Sequence, residues 1–236
     1  MKTIKKSLVF VVMGVTVATL TLPVSAQQPT VAERVASLKA TLMASQKILR
    51  QYQWIETTVV SVKGDEKSRK QEQCYYGADG KLQKVLLNQS APQAKKRGLR
   101  GLIAKKKKQE LTDYMKEAVA LVRQYVPPDQ ARLQAAKDAG YVTIQPIDPG
   151  KVVRLTFSNY VKRGDSLSLD VDLTNNRPLS AKVSSRLDSD QAPVTLTVTF
   201  GTLDDGTTYV SGTVLNAPGK KLNVTVQNSG YRKATP

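Results

Sequence analysis

Residues 166–185 have the sequence SLSLDVDLTNNRPLSAKVSS. In the first six of them, Leu167, Leu169 and Val171 alternate with serine and aspartate. Because successive side chains of a strand point to opposite faces of a sheet, this two-residue period predicts a strand with one buried face. The polar NNRP at 175–178 is typical of a turn, and a second strand is expected from Leu179. The stretch therefore predicts an antiparallel hairpin.

Similar strand signals recur along most of the chain. We expect about nine strands, at residues 53–62, 71–76, 81–88, 151–158, 167–173, 179–187, 194–200, 207–214 and 222–226. Residues 63–67 are expected to form a polar loop, and short turns such as ADG at 78–80 and DDG at 204–206 join neighbouring strands. Connections this short imply antiparallel pairing.

Helical spacing marks three other segments. Val31, Val35, Leu38 and Leu42 predict an amphipathic helix over residues 30–50. A second helix is predicted to end at PP 127–128, with its apolar face at Leu111, Met115, Ala118, Val122 and Tyr125, and a third is predicted over 129–138. The predicted fold class is α+β, with helices on one face of an antiparallel sheet.

The N-terminus has the order of a secretory signal. Three lysines at positions 2, 5 and 6 precede an apolar run over 8–22, and the small residues VSA follow at 24–26. A membrane anchor needs about 20 apolar residues, more than this run provides. We therefore expect cleavage after Ala26, and a single exported domain over 27–236 with a basic helical insertion at about 93–140. Such a signal is compatible with the periplasm or with full secretion.

Composition excludes several kinds of site. The chain has no histidine and one cysteine, Cys74, so Ser-His, Cys-His and zinc sites of the usual kinds are absent and no internal disulfide is possible. Cys74 is expected to be a small core residue. We predict no metal, no cofactor and no enzymatic activity. An alternative to this prediction is a carboxylate-based hydrolase that uses Asp170 and Asp172. The alternation of these two residues with apolar ones on a strand favours a solvated face instead.

The chain is strongly basic, with a formal net charge of +17, which becomes +14 when the three signal lysines are removed. The excess favours anionic partners such as membrane headgroups, and export argues against nucleic acid. The basic residues concentrate in one segment, where we predict an anionic-surface site of Lys95, Lys96, Arg97, Arg100, Lys105 and Lys108. A solvated charge run is the alternative. On a helical wheel Leu99, Leu102 and Ile103 point away from the apolar face of residues 111–126, so one straight docked helix cannot bury both. This predicts a break near 98–101 or a basic helical end that projects from the domain.

Three stretches carry a family resemblance: YQWIETTVVSVKGDEKSRKQEQCYYGADGKLQKVLL at 52–87, the hairpin quoted above, and TTYVSGTVLNAPGKKLNVTVQNSGY at 207–231. With the leading helix and the helical interruption, they resemble the periplasmic lipoprotein-carrier superfamily, of which the lipoprotein-sorting carrier LolA is a member. The resemblance implies a curved, incomplete β-barrel whose concave face is covered by helices. It also implies an apolar cavity that holds acyl chains without a cofactor.

The alternating strands supply the candidate residues for such a site. They form what we call the ligand set: Leu38, Leu42, Val153, Leu155, Phe157, Leu167, Leu169, Val171, Leu196, Val198 and Phe200. We expect a monomeric periplasmic carrier or binding protein for an acyl chain or other hydrophobic ligand, with lipoprotein sorting as one pathway. Its other partners would be an anionic membrane surface or an envelope protein. The alternative is an envelope adaptor with a filled core that acts through protein contacts. The same apolar face is by default a packed core.

Overall fold

The computed structural model describes residues 31–90, 99–187 and 192–234, with backbone alone for 31–32 and 99–104. The predicted signal, residues 91–98 and the four residues at 188–191 lie outside these ranges. Three helices and ten strands are found in the described part. They are α1 (Val31–Leu49), β1 (Tyr52–Val62), β2 (Asp65–Tyr76), β3 (Leu82–Gln89), α2 (Leu99–Val122), α3 (Gln130–Asp138), β4 (Val142–Asp148), β5 (Val152–Ser158), β6 (Ser166–Asp172), β7 (Arg177–Ser185), β8 (Val194–Thr202), β9 (Thr208–Ala217) and β10 (Leu222–Lys233).

The strands form one antiparallel sheet that does not close into a barrel. Its order is β3-β2-β1-β10-β9-β8-β7-β6-β5-β4, so every pair of neighbours is consecutive in sequence except β1 and β10. That pair brings Val60 opposite Val224 and joins the first three strands to the remaining seven. The α+β class and the large antiparallel sheet predicted from the sequence are confirmed. The strand count is ten, where about nine were expected.

The additional strand is β4, at one edge of the sheet. It pairs with β5 alone, and six of its seven side chains are exposed. Its sequence, VTIQPID, has no sustained alternation, and Pro146 removes a backbone donor. An exposed edge strand needs no buried face, so the alternation that marks the other strands is missing from it.

The connection between β1 and β2 is tighter than predicted. Residues 63–67 were expected to form a polar loop, but β2 begins at Asp65 and only Lys63 and Gly64 connect the strands. Both have positive φ, 57° and 87°. Two positive φ angles belong to the type I′ turn, whose twist matches that of a hairpin, and glycine adopts the second without strain.

All three helices contribute to one core on the sheet. α1 packs on β9, β1 and β7, α2 packs on β7 and β8, and α3 packs on β5. Asp129 caps α3 by accepting a hydrogen bond from the backbone N–H of Arg132 at 2.9 Å. Beneath the helices, side chains on alternate positions of β5 to β8 are buried, as the two-residue period predicts.

The second helix is continuous through the basic segment. α2 passes through Gly101 without a break, and all six side chains from Lys105 to Glu110 are exposed. Burial begins only at the next turn, where Tyr114 is 6% exposed. Of the two alternatives predicted for this segment, the described residues match a basic end that extends past the core, and no break occurs at Gly101. None of the described helices has the length and apolarity to span a bilayer.

Candidate ligand site between the helices and the sheet

The ligand set lies almost entirely in one buried cluster. Leu38 of α1 and eight strand residues of the set are between 0% and 8% exposed. Those eight are Val153, Leu155, Phe157, Leu167, Leu169, Val171, Leu196 and Val198. Neighbouring strands align them in rows, with Leu155 opposite Leu169 and Phe157 opposite Leu167. The sequence pattern therefore identified residues that share one apolar face.

Two members of the set sit less deeply. Phe200 near the end of β8 is half-buried and packs against the cluster. Leu42 of α1 is also half-buried. Phe200 therefore lies at the periphery of the apolar face.

The helix α1 is a thin cover over this face. Among its described side chains only Leu38 and Ser45 are buried, at 4% and 5% exposure. The Thr208 backbone N–H donates to Ser45 Oγ at 3.1 Å, and Asn176 Nδ2 donates to Ser37 Oγ. Full burial of one leucine contributes about 2 kcal/mol. The attachment of α1 is thus weak compared with the packing inside the sheet.

The C-terminal end of α2 is anchored by a buried polar network. The Tyr125 hydroxyl donates to Asp165 Oδ2 at 2.5 Å and hydrogen bonds Ser185 Oγ at 2.7 Å. Asp165 also accepts the backbone N–H groups of Tyr160, at 2.6 Å, and Lys162, at 2.7 Å. Burial, with the hydrogen bond to Asp165, raises the pKa of Tyr125 well above its usual range, so the phenol remains protonated. This network fixes α2 to the β5–β6 loop and to the end of β7.

Two clefts found among the described residues lie away from the ligand set. One, of about 520 Å³, is lined by Lys63, Gly64, Asn216, Pro218, Lys221 and Asn223. The other, of about 130 Å³, is lined by Lys162, Arg163, Gly164, Asp165 and Arg186. Both open at loops rather than beneath the helices. In this conformation the described side chains of the apolar face are packed against one another.

Asp170 and Asp172, the two carboxylates considered for hydrolysis, are both hydrogen bonded to neighbouring side chains. Asp170 receives a bidentate pair from Arg154, at 2.6 and 2.8 Å, and a hydrogen bond from Ser180. Burial acts to raise the pKa of Asp170, but the hydrogen bonds from Arg154 and Ser180 outweigh it and the pKa is lowered. Hydrogen bonding, first of all from Asn175, also lowers the pKa of Asp172. Both groups are held ionised, which suits a structural role better than that of a proton donor.

Cys74 is a free cysteine that is fully buried in β2, as expected for a small core residue. Burial raises its pKa to about 11, so little thiolate is present at neutral pH. It lies opposite Trp54 of β1, whose ring stacks on Tyr231 of β10 with centroids 5.4 Å apart. The described residues contain no group of three or more side chains suited to hold a metal ion.

The predicted anionic-surface residues are only partly described. Lys105 and Lys108 are exposed on the first half of α2. Arg100 lies in the same helix, with its backbone alone described, and Lys95, Lys96 and Arg97 fall outside the described residues. The part that is described leaves the basic surface open to solvent.

Several residues that cover the apolar face were missed by the sequence analysis. They are Tyr114 and Leu121 of α2 and Leu133 and Ala136 of α3, all below 10% exposure. Tyr114, Ala118, Leu121 and Tyr125 have the i, i+4, i+7, i+11 spacing of a buried helical stripe. The sequence analysis placed Ala118 and Tyr125 on the apolar face of the second helix, and the same spacing could have added Tyr114 and Leu121.

No family model and no curated protein matches the chain. Among solved structures, a LolA superfamily protein from Nitrosomonas europaea is 11% identical, with 84% of this chain and 94% of that chain covered and a TM-score of 0.32. An outer-membrane lipoprotein-sorting protein domain from Vibrio parahaemolyticus is 10% identical, with 84% and 94% covered and a TM-score of 0.34. The MucA/MucB complex from Pseudomonas aeruginosa matches at 10% identity, with 86% and 99% covered and a TM-score of 0.24. One of the matched structures is thus named as a member of the superfamily that the sequence resembles. Matches at such TM-scores and identities assign no activity to this chain.

Proposed function

We propose that this protein is an exported, non-enzymatic carrier or binding protein of the bacterial cell envelope. It holds a hydrophobic ligand between α1 and the sheet, and its place of action is the periplasm. The observation that carries the proposal is the contrast in packing at this face. A continuous aliphatic surface on β5 to β8 is partly covered by α1, in which Leu38 is the one buried apolar side chain among those described.

Ligand entry in this proposal requires α1 to move. The face is filled when α1 is docked, so a ligand takes the place of Leu38 and its half-buried neighbour Val35. Displacement breaks the hydrogen bonds at Ser37 and Ser45, which water replaces at small net cost. The strands below do not need to separate.

The chemistry of the face selects the ligand class. The strand residues of the ligand set are all aliphatic or phenylalanine, and no charged side chain is among them. A saturated acyl chain, as in a lipid or a lipoprotein, gains by burial against such a surface at about 0.8 kcal/mol for each CH₂ group. Transfer of a lipoprotein acyl chain toward the outer membrane is one pathway that this chemistry serves.

The basic half of α2 supplies a membrane contact in the same proposal. Lys105 and Lys108 are exposed, and the sequence adds Lys95, Lys96, Arg97 and Arg100. Each such residue near an anionic bilayer contributes about 1 kcal/mol, so three or four contacts give weak, salt-sensitive docking. Docking of this strength would bring the carrier to lipid without trapping it there.

A second candidate function has its own supporting observation. The described core is filled, with Leu167 and Val183 fully buried and Phe157 1% exposed. A protein that never opens would serve as an envelope adaptor and act through contacts with other proteins. The two functions differ in whether the purified molecule carries a ligand.

Native mass spectrometry of the protein purified from the envelope of its own host separates them, with lipid extraction in parallel. The carrier proposal predicts a co-purified lipid or acylated peptide at about one per chain, which detergent washing removes. A bare protein that also fails to take up fluorescent fatty acids would reject the carrier and favour the adaptor.

A further inference from the structure

The edge strand β3 exposes an unusual amount of apolar surface. Four of its eight side chains are large and apolar, and each is about half exposed: Leu82 at 43%, Val85 at 47%, Leu86 at 51% and Leu87 at 52%. Among the described residues β3 pairs with β2 alone, so its other side forms an edge of the sheet. Exposed apolar edge strands favour pairing with another strand.

The strand at the opposite edge, β4, is protected against the addition of a further strand, and β3 lacks that protection. β4 also exposes Ile144 and Ile147, but Pro146 lies between them and cannot donate to a further strand. β3 contains no proline. Its single charged side chain, Lys84, forms an ion pair with Glu56 of its own sheet at 2.6 Å. The two edges thus differ in the feature that blocks strand addition.

The sequence of β3 is symmetric in polarity about Leu86. Residues 83–89 are QKVLLNQ, with three apolar residues at the centre and two polar residues on each side. In an antiparallel pair of two such strands centred on Leu86, that residue faces its own copy. Val85 then faces Leu87, Lys84 faces Asn88 and Gln83 faces Gln89, so like meets like in polarity and no two lysines are opposed. A bulge at Leu87 against β2 leaves Val85 and Leu86 in regular register.

From these features we infer that β3 is a homodimerisation edge, which pairs antiparallel with β3 of a second copy of this chain about a twofold axis at Leu86. The two ten-stranded sheets then continue as one. A twofold contact uses the same patch on both copies, and the polarity symmetry of β3 satisfies that requirement. This inference departs from the monomer expected from the sequence, and it does not depend on the proposed ligand.

Charge does not oppose the contact, despite the strongly basic chain. Residues 52–89, which form this end of the sheet, carry six basic and five acidic side chains. Several of them neutralise one another locally, as Arg69 does with Glu66 at 2.7 Å and Lys70 with Glu72 at 2.6 Å. The near balance of charge within residues 52–89 means that this end of the sheet adds little repulsion of its own between two copies.

Sedimentation analysis of the mature protein, purified after removal of the predicted signal, tests the inference. A contact through one strand pair is small, so we expect a dimer that dissociates in the range of about 1–100 µM. Leu86→Lys places two ammonium groups opposite each other at the axis and is expected to raise the dissociation constant at least about tenfold. The matched control is Ile144→Lys on β4, a similarly exposed edge residue at 55%, which is expected to leave the dissociation constant unchanged.

A crosslinking experiment checks the register independently. Directly opposite residues have Cβ atoms about 5 Å apart, so Leu86→Cys is expected to form an intermolecular disulfide on mild oxidation. Leu82→Cys is the control, because two copies of position 82 would lie about 27 Å apart along the paired strands. Cys74 is buried and is not expected to crosslink the parent protein.

The outcomes separate clearly. A concentration-dependent dimer that Leu86→Lys weakens and that Leu86→Cys captures supports the inference. A monomer at every concentration overturns it, and the edge would then be available to a strand of a different protein. A dimer that both lysine variants leave intact, or that crosslinks at 82 as readily as at 86, also overturns it.

Discussion

One row of paired residues crosses the sheet and changes character along its length. From β5 to β8 it consists of Leu155, Leu169, Ala181 and Val198, all between 1% and 7% exposed. It continues through Thr213 and Val226, and then reaches the half-buried Thr58 and Lys70 on β1 and β2. One sheet therefore has a buried half under the helices and a half-exposed end at β1 to β3.

The difference shows that the helices decide which apolar residues become core. All three helices cover parts of β5 to β9 or β1, and the strands β2 and β3 lie beyond their main contacts. Leucines under the helices are buried, while the leucines of β3 remain about half exposed. Apolar residues without a helical cover are available for another partner, whereas those under α1 are available only when α1 moves.

The largest expected effect lies in the covered half. Phe157→Ala removes a side chain that is 1% exposed at the centre of the core, and it leaves a cavity that the rigid sheet cannot close. We expect a loss of about 3–5 kcal/mol in the free energy of unfolding, measured by urea denaturation. A loss below about 1 kcal/mol would mean that this half is not the tightly packed core that the contrast requires.

An intermediate effect is expected at the polar anchor of α2. Tyr125→Phe removes the hydroxyl that bonds Asp165 and Ser185, and it leaves the buried Asp165 with backbone donors only. The expected loss is about 1–3 kcal/mol in the free energy of unfolding. Tyr141→Phe is the matched control at a 47% exposed site and should change stability by less than about 0.5 kcal/mol. Equal effects for the two variants would show that the network does not stabilise the fold.

The smallest effect is expected at the exposed end. Leu86→Ser shortens a side chain that is 51% exposed, and at concentrations where the chain is monomeric it should change the free energy of unfolding by less than about 0.5 kcal/mol. Urea denaturation at low and high protein concentration measures it. A loss that approaches that of Phe157→Ala would remove the distinction between the two halves.

Much of the fold follows from local patterns in the sequence. The two-residue period of β5, β6 and β8 is visible because one face of each strand is buried and the other faces solvent, and it located eight strand residues that the structure buries in the core. The caps and turns at Asp129 and at residues 78–80 follow from residue chemistry. These signals need no knowledge of distant contacts.

Long-range pairing and strands without a buried face carry no such signal. β4 was missed because its exposed residues do not alternate, and the β1–β10 pair joins segments more than 150 residues apart. The degree of burial of each candidate residue is equally hidden from the sequence. Leu38 and Leu42 both fit the helical spacing of the apolar face of α1, but of these two only Leu38 is buried. Whether helix and sheet enclose space for a ligand depends on their separation, which local sequence does not specify.

The most direct test of ligand uptake beneath α1 is a reversible tether across its contact with the sheet. Ser37→Cys and Asn176→Cys together place two thiols where the native side chains hydrogen bond, and a short bis-methanethiosulfonate linker joins them. Cys74 is buried with its pKa raised to about 11, so it does not compete for the linker. The control is the single Ser37→Cys variant treated in the same way.

Titration with a fluorescent fatty acid then gives the decisive comparison. We predict that the untethered protein binds the probe, that the tether weakens binding at least about tenfold, and that reduction of the linker restores it. Binding that is equally tight with α1 tethered, or no binding in any form, would contradict a ligand site between α1 and the sheet.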